Sequence, residues 1–94
     1  MKQIYKITYP NGKIYVGKDL TGTLNYFGSA KSDYIAKDFS AHEKMRFTIT
    51  KEILWECDSC DNSIVNKKEV EYILSLKSNN PSIGYNQWPK YKGE

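Results

Sequence analysis

The sequence is poor in the features that mark several large protein classes. No apolar run approaches the roughly 20 residues that span a bilayer, which argues against a membrane partner. Met1-Lys2-Gln3-Ile4-Tyr5 enters a strand pattern at once, so no signal peptide is expected and the expected compartment is cytoplasmic. Cysteine is scarce: Cys57 and Cys60, in "CDSC", are the only two. A zinc centre needs two further ligands, and the single histidine, His42, supplies at most one. A thioredoxin-like pair expects another strand and helix context, so the two read as reduced thiols in a cytosolic loop. No internal repeat, low-complexity tract, helix-turn-helix or zinc finger is present, which leaves little means of sequence-specific readout. Arginine is nearly missing: thirteen lysines accompany one Arg46.

What is present describes a soluble globular chain. Its 94 residues suit one domain, 1–94, with a modest core and a C-terminus that frays over its last few residues. Apolar residues make up 39% and charged residues 27%, so a core and a wet surface are both provided for. A net charge of +3 leans mildly toward a polyanionic partner. Eight tyrosines and two tryptophans supply flat faces that either stack on bases or pack in strands.

"GKIYVGKD", residues 12–19, matches seven of the eight positions of a phosphate-binding loop. Its last position needs a hydroxyl for Mg²⁺, where Asp19 would set a negative charge against the phosphates. Lys13-Ile14-Tyr15-Val16 alternate and are β-branched or aromatic, which is how a strand reads. The match is accidental.

The strand reading extends to both sides of a turn. "QIYKITY" (3–9), "PNG" (10–12) and "KIYVG" (13–17) predict an antiparallel hairpin. A two-residue Asn11-Gly12 loop would put Tyr5 and Tyr15 on opposite faces. A three-residue Pro10-Asn11-Gly12 loop pairs Thr8 with Ile14 and Ile7 with Tyr15, so Tyr5, Ile7, Tyr15 and Gly17 share a face. Pro10 at the second position of a type I turn and Gly12 in the left-handed conformation favour the longer loop. Residues 18–30 read as loop. "SDYIAKDFSAH" (32–42) reads as a short helix with Ile35, Phe39 and His42 on one side. "RFTITKEILWE" (46–56) alternates as a third strand, and "NKKEVEYILSLK" (66–77) as a helix with Val70, Ile73, Leu74 and Lys77 along one side. The last residues form a Pro- and Gly-punctuated tail. The expected class is α+β: a small three-stranded antiparallel sheet flanked by helices, in the order β-β-α-β-α.

"QIYKITYPNGKIYVG" resembles the signature of the GIY-YIG nuclease family, with Gln3-Ile4-Tyr5 and Tyr15-Val16-Gly17 as its two triads. "EVEYI" (69–73) is similar to the family's glutamate-bearing helix, "GYN" (84–86) to its C-terminal segment, and "YFGSAK" to phage-type members. Four motifs in order cover nearly the whole chain. The resemblance implies a metal-dependent endonuclease that hydrolyses DNA phosphodiester bonds with one divalent cation, Mg²⁺ or Mn²⁺, and no organic cofactor. It implies Glu69 as metal ligand, Tyr5 as general base, Tyr15 as second tyrosine of the site and Asn86 as support. One carboxylate suffices because Mg²⁺ keeps water and takes substrate phosphate oxygens. A tyrosine acts as base only where cations lower its pKa from about 10, and Lys18 is the candidate.

Two departures stand out. Gln3 replaces the usual glycine, and the first helix expected after the second triad carries no arginine to hold the phosphate, since Arg46 reads as the beginning of the third strand. Lys18, Lys31 and Lys37 are the nearby cations, with Lys31 the preferred stand-in, though a lysine lacks the bidentate fork. This gap favours the alternative of a catalytically impaired nucleic-acid-binding module of the same fold. Simpler roles also exist for each residue: Tyr5 and Tyr15 as cross-strand packing, Glu69 closing a capping box with Asn66, and Asn86 as a turn residue.

Overall fold

A computed structural model of the chain describes residues 1–20, 37–46 and 48–92. Strands β1 (Lys2–Thr8), β2 (Ile14–Asp19) and β3 (Thr50–Cys57) form an antiparallel sheet in the order β2-β1-β3. Helices α1 (Ala41–Arg46) and α2 (Asn62–Leu76) complete an α+β fold in the expected order. The motif once suggestive of a phosphate loop is strand β2.

The hairpin follows from its turn. Gly12 has φ 86°, the left-handed conformation that closes a three-residue loop. Tyr9 N donates to Lys13 O and Gly12 N to Tyr9 O, each at 2.9 Å. Thr8 therefore pairs with Ile14, Ile7 with Tyr15 and Tyr5 with Gly17. Tyr5 and Tyr15 project from the same face.

Strand alternation separates two apolar clusters. Tyr5, Ile7, Tyr9, Phe39 and Tyr85 pack on one face, with Tyr15 and Ile49 against them. Ile4, Val16, Val65 and Ile73 pack on the other, under α2. In β3 the register slips by one residue between Ile4 and Tyr5, leaving Leu54 as the extra residue. The slip puts Lys51 and Ile53 beside the tyrosine face and Trp55 beneath α2, so the single alternation expected from 47 to 55 does not persist.

Several boundaries differ from expectation. α2 begins at Asn62, four residues early, and its buried side is Val65 and Ile73 with Tyr72 and Leu76, while Leu74 faces out. Near residue 40 the expected helix is interrupted. Residues 37–38 are helical, and Ser40 then starts α1 through a reciprocal cap: Glu43 N donates to Ser40 Oγ (3.1 Å) and Ser40 N to Glu43 Oε1 (2.9 Å). Arg46 ends α1 and is exposed rather than opening β3. Ile35 lies outside the described residues.

Cys57 and Cys60 form a disulfide, which corrects the reading of two reduced thiols. The turn from β3 into α2 brings their Cα atoms to 5.9 Å, within bonding range. With that reading goes its support for a reducing compartment. Among the described residues no helix is long and apolar enough to cross a membrane.

Candidate functional site

The site residues are organised around β2, an edge strand. Residues Ile83 to Asn86 lie along it and supply the missing neighbour. Ile14 N donates to Ile83 O (3.1 Å) and Tyr85 N to Ile14 O (2.9 Å), with Gly84 bridged in parallel to Ile14. Gly84 has no room for a side chain: a Cβ there would lie 2.6 Å from the Ile14 carbonyl oxygen and would overlap Ser78. Asn86 then imitates a strand. Its Oδ1 accepts from Val16 N and its Nδ2 donates to Val16 O, both at 2.8 Å. Asn86 therefore pairs with β2 and is not a turn residue.

Gly17 explains the second triad. A Cβ at this position would lie 2.5 Å from both Cζ and the hydroxyl oxygen of Tyr5, so the Tyr5 ring crosses β2 where no side chain stands. Tyr5 is 1% exposed, and Lys51 Nζ sits 4.9 Å from its ring centroid as a cation over the π face. Tyr15, two residues before Gly17, is half-buried on the same face.

Glu69 and Lys18 belong to the other face. Lys18 pairs with Ile4, whose side chain lies under α2, and Lys18 Nζ donates to Asn66 Oδ1. Glu69 falls between Val65 and Ile73 at four-residue spacing, so it sits on the helix stripe that meets the sheet. Burial pushes its carboxyl above the usual carboxylate range, and the Lys18 charge offsets part of that rise. Because Asp61 is the N-cap of α2, Asn66 lies within the helix and Glu69 closes no capping box. The structure thus divides the expected set: two phenols on one face, Lys18 and Glu69 on the other, with Asn86 on the edge joining them. The Tyr5 hydroxyl at Gly17 and the Lys18 charge that acts on Glu69 place the two groups at the same end of β2, from opposite faces of the sheet. Lys31 lies outside the described residues. His42 is exposed on α1. No family model, no curated protein and no solved structure matches the chain. The geometry and the motifs themselves are what bear on function.

Sequence reasoning missed three contributors. Asn66 holds Lys18 in place, Lys51 covers the Tyr5 ring, and Asp38 anchors the tail. Asp38 Oδ2 accepts from the Tyr85 hydroxyl (2.6 Å) and from Lys13 Nζ (2.9 Å), which draws the Asp38 carboxyl below its ordinary value. Burial and the Asp38 hydrogen bond push the Tyr85 phenol up to about 12. Only Lys51 carried a signal in the sequence, through the alternation of the third strand, and it faces Ile7 across the β1–β3 pair.

Proposed function

We propose that this chain is a divalent-metal-dependent endonuclease that hydrolyses DNA phosphodiester bonds, with Glu69 as the metal ligand. The observation that supports it most is the placement of Glu69. A carboxylate on the sheet-facing stripe of a helix is costly to keep ionised, and among the described residues no salt bridge closes on it. Among the described residues, loss of the capping role leaves no hydrogen bond or salt bridge that accounts for an acid at that position. A half-buried hard oxygen donor beside the Lys18 end of β2 suits Mg²⁺ or Mn²⁺ bound with water and phosphate. Because Mg²⁺ keeps several waters and takes substrate phosphate oxygens, one carboxylate would hold the ion in this reading. The metal, when bound, supplies Lewis-acid polarisation of the phosphate and acidification of water.

The chain's own groups have separable tasks in this reading. Lys18, tethered by Asn66, offers a positive charge to a phosphate oxygen at the end of β2. The Tyr5 hydroxyl reaches the same end of the strand across Gly17. Tyr15 is the more accessible phenol, since Tyr5 is almost fully enclosed. Water attacks phosphorus and gives up its proton to the surrounding solvent, and the bond to the departing sugar oxygen breaks as that oxygen takes up a proton from solvent.

The enclosure of Tyr5 and the split between faces favour one alternative, a nucleic-acid-binding module of the same fold without cutting activity. A nicking assay on supercoiled plasmid with Mg²⁺ or Mn²⁺ separates the two. Nicking by the wild-type chain that falls at least about a hundredfold in Glu69→Ala is the expected outcome, since loss of the ligand removes several kcal/mol of charge stabilisation. DNA binding without nicking in either chain supports the binding module instead.

A further inference from the structure

A second surface lies on the far side of the C-terminal segment. α2 stops at Lys77, which adopts the left-handed conformation with φ 60°, and the chain folds back beside the helix. Asn79 Nδ2 donates to Pro89 O at 2.7 Å and fixes the returning segment. Between helix and segment runs a groove of about 610 Å³, with Leu74, Ile83 and Tyr91 among its apolar lining and Lys77, Lys90 and Lys92 around it. None of the described residues lining it is acidic. Trp88, which precedes Pro89 of the lining in the chain, is 73% exposed, and Tyr91 within the groove is 39% exposed.

We propose that this groove binds single-stranded DNA, with Trp88 and Tyr91 stacking on bases and the three lysines tracking phosphates. Three cations with no acidic group among the described lining residues call for a polyanion, and an apolar floor with open aromatic faces calls for flat, unpaired rings. Duplex DNA meets the first demand but hides its base faces. An acidic peptide also meets the first and leaves the indole idle. The choice of DNA over RNA rests on the nuclease reading; the single-strand preference does not.

The test is fluorescence anisotropy of a labelled mixed-sequence oligonucleotide of about ten nucleotides, long enough to cover one such site, with EDTA present so that cutting plays no part. The full chain is expected to bind the single strand more tightly than a duplex of equal length. Trp88→Ala is expected to weaken binding about fivefold or more. The triple variant Lys77→Gln, Lys90→Gln, Lys92→Gln is expected to lower the slope of log affinity against log salt by about 2. Both variants alter exposed side chains, and a thermal melt matching wild type confirms that each still folds. Preference for duplex, equal competition by a polyglutamate peptide, or affinity unchanged by Trp88→Ala and by Tyr91→Ala would each overturn the proposal. Loss of nicking with single-strand binding intact strikes the nuclease reading alone. Nicking without single-strand binding strikes this one alone.

Discussion

A carboxylate between Val65 and Ile73 opposes folding whenever it is ionised. In the unfolded chain Glu69 titrates near its ordinary 4.5, whereas in the fold burial raises that value. Its stability contribution is therefore complete below the unfolded value and lost as pH rises through the folded one. Glu69→Gln keeps the shape and removes the charge. The variant should melt a few degrees above wild type at pH 7, with the gap closing at pH values below the unfolded pKa, and the proposed nuclease activity should be lost with it. Thermal melts at the two pH values check it. A variant less stable than wild type at pH 7 would mean that the carboxylate holds the fold together. Gly17 shows the same logic in reverse. There an absent side chain is what admits the Tyr5 ring, and only the cross-strand register links the two.

Elements were legible where local chemistry and tertiary packing agree. The hairpin is the clearest case: Pro10, Gly12 and the alternation of Tyr5, Ile7 and Tyr15 all specify one loop length, and the register follows. Helix α2 was found but started late, because its first turn, Asn62-Ser63-Ile64-Val65, has only Val65 buried. The Ser40–Glu43 cap went unread inside a longer helical pattern that carried Phe39 into the core. The bulge at Leu54 left no mark in the β3 sequence, since either face accepts Ile53 and Leu54. The pairing of Cys57 with Cys60 depends on how tightly β3 turns into α2, a tertiary property. Most informative is the tail, where "GYN" gave no sign that its asparagine pairs with the edge strand. Asn86 stands in for a strand residue by satisfying both backbone groups of buried Val16. Asn86→Ala leaves a buried N–H and C=O without these partners and should cost about 2–4 kcal/mol in urea unfolding. Asn86→Asp keeps an acceptor for Val16 N but sets an oxygen against Val16 O, so it should lose stability as well.

At the scale of the molecule, the sheet carries a separate apolar cluster on each face, and the segment from Ser78 to Asn86 touches both. Ser78 N donates to Ile73 O at the end of α2, and Asn86 N donates to Ser78 O. Tyr85 meets Tyr9 edge to face at 5.2 Å on the opposite cluster and reaches Asp38 through its hydroxyl. This one segment thus fastens helix, edge strand and hairpin turn together. Emptying an aromatic core position costs about 3–5 kcal/mol, and loss of the Asn86 clamp adds about 2–4. Their sum rivals the whole stability of a chain this size, about 5–15 kcal/mol. A chain ending at Ser78 should therefore show no cooperative melt. One ending at Gln87 loses the Asn79–Pro89 hydrogen bond, worth about 1 kcal/mol, and should still melt cooperatively within several degrees of full length. Circular dichroism melts of the two truncations decide the matter. A cooperative transition in the shorter one would show that sheet and α2 stand without the segment that closes the β2 edge.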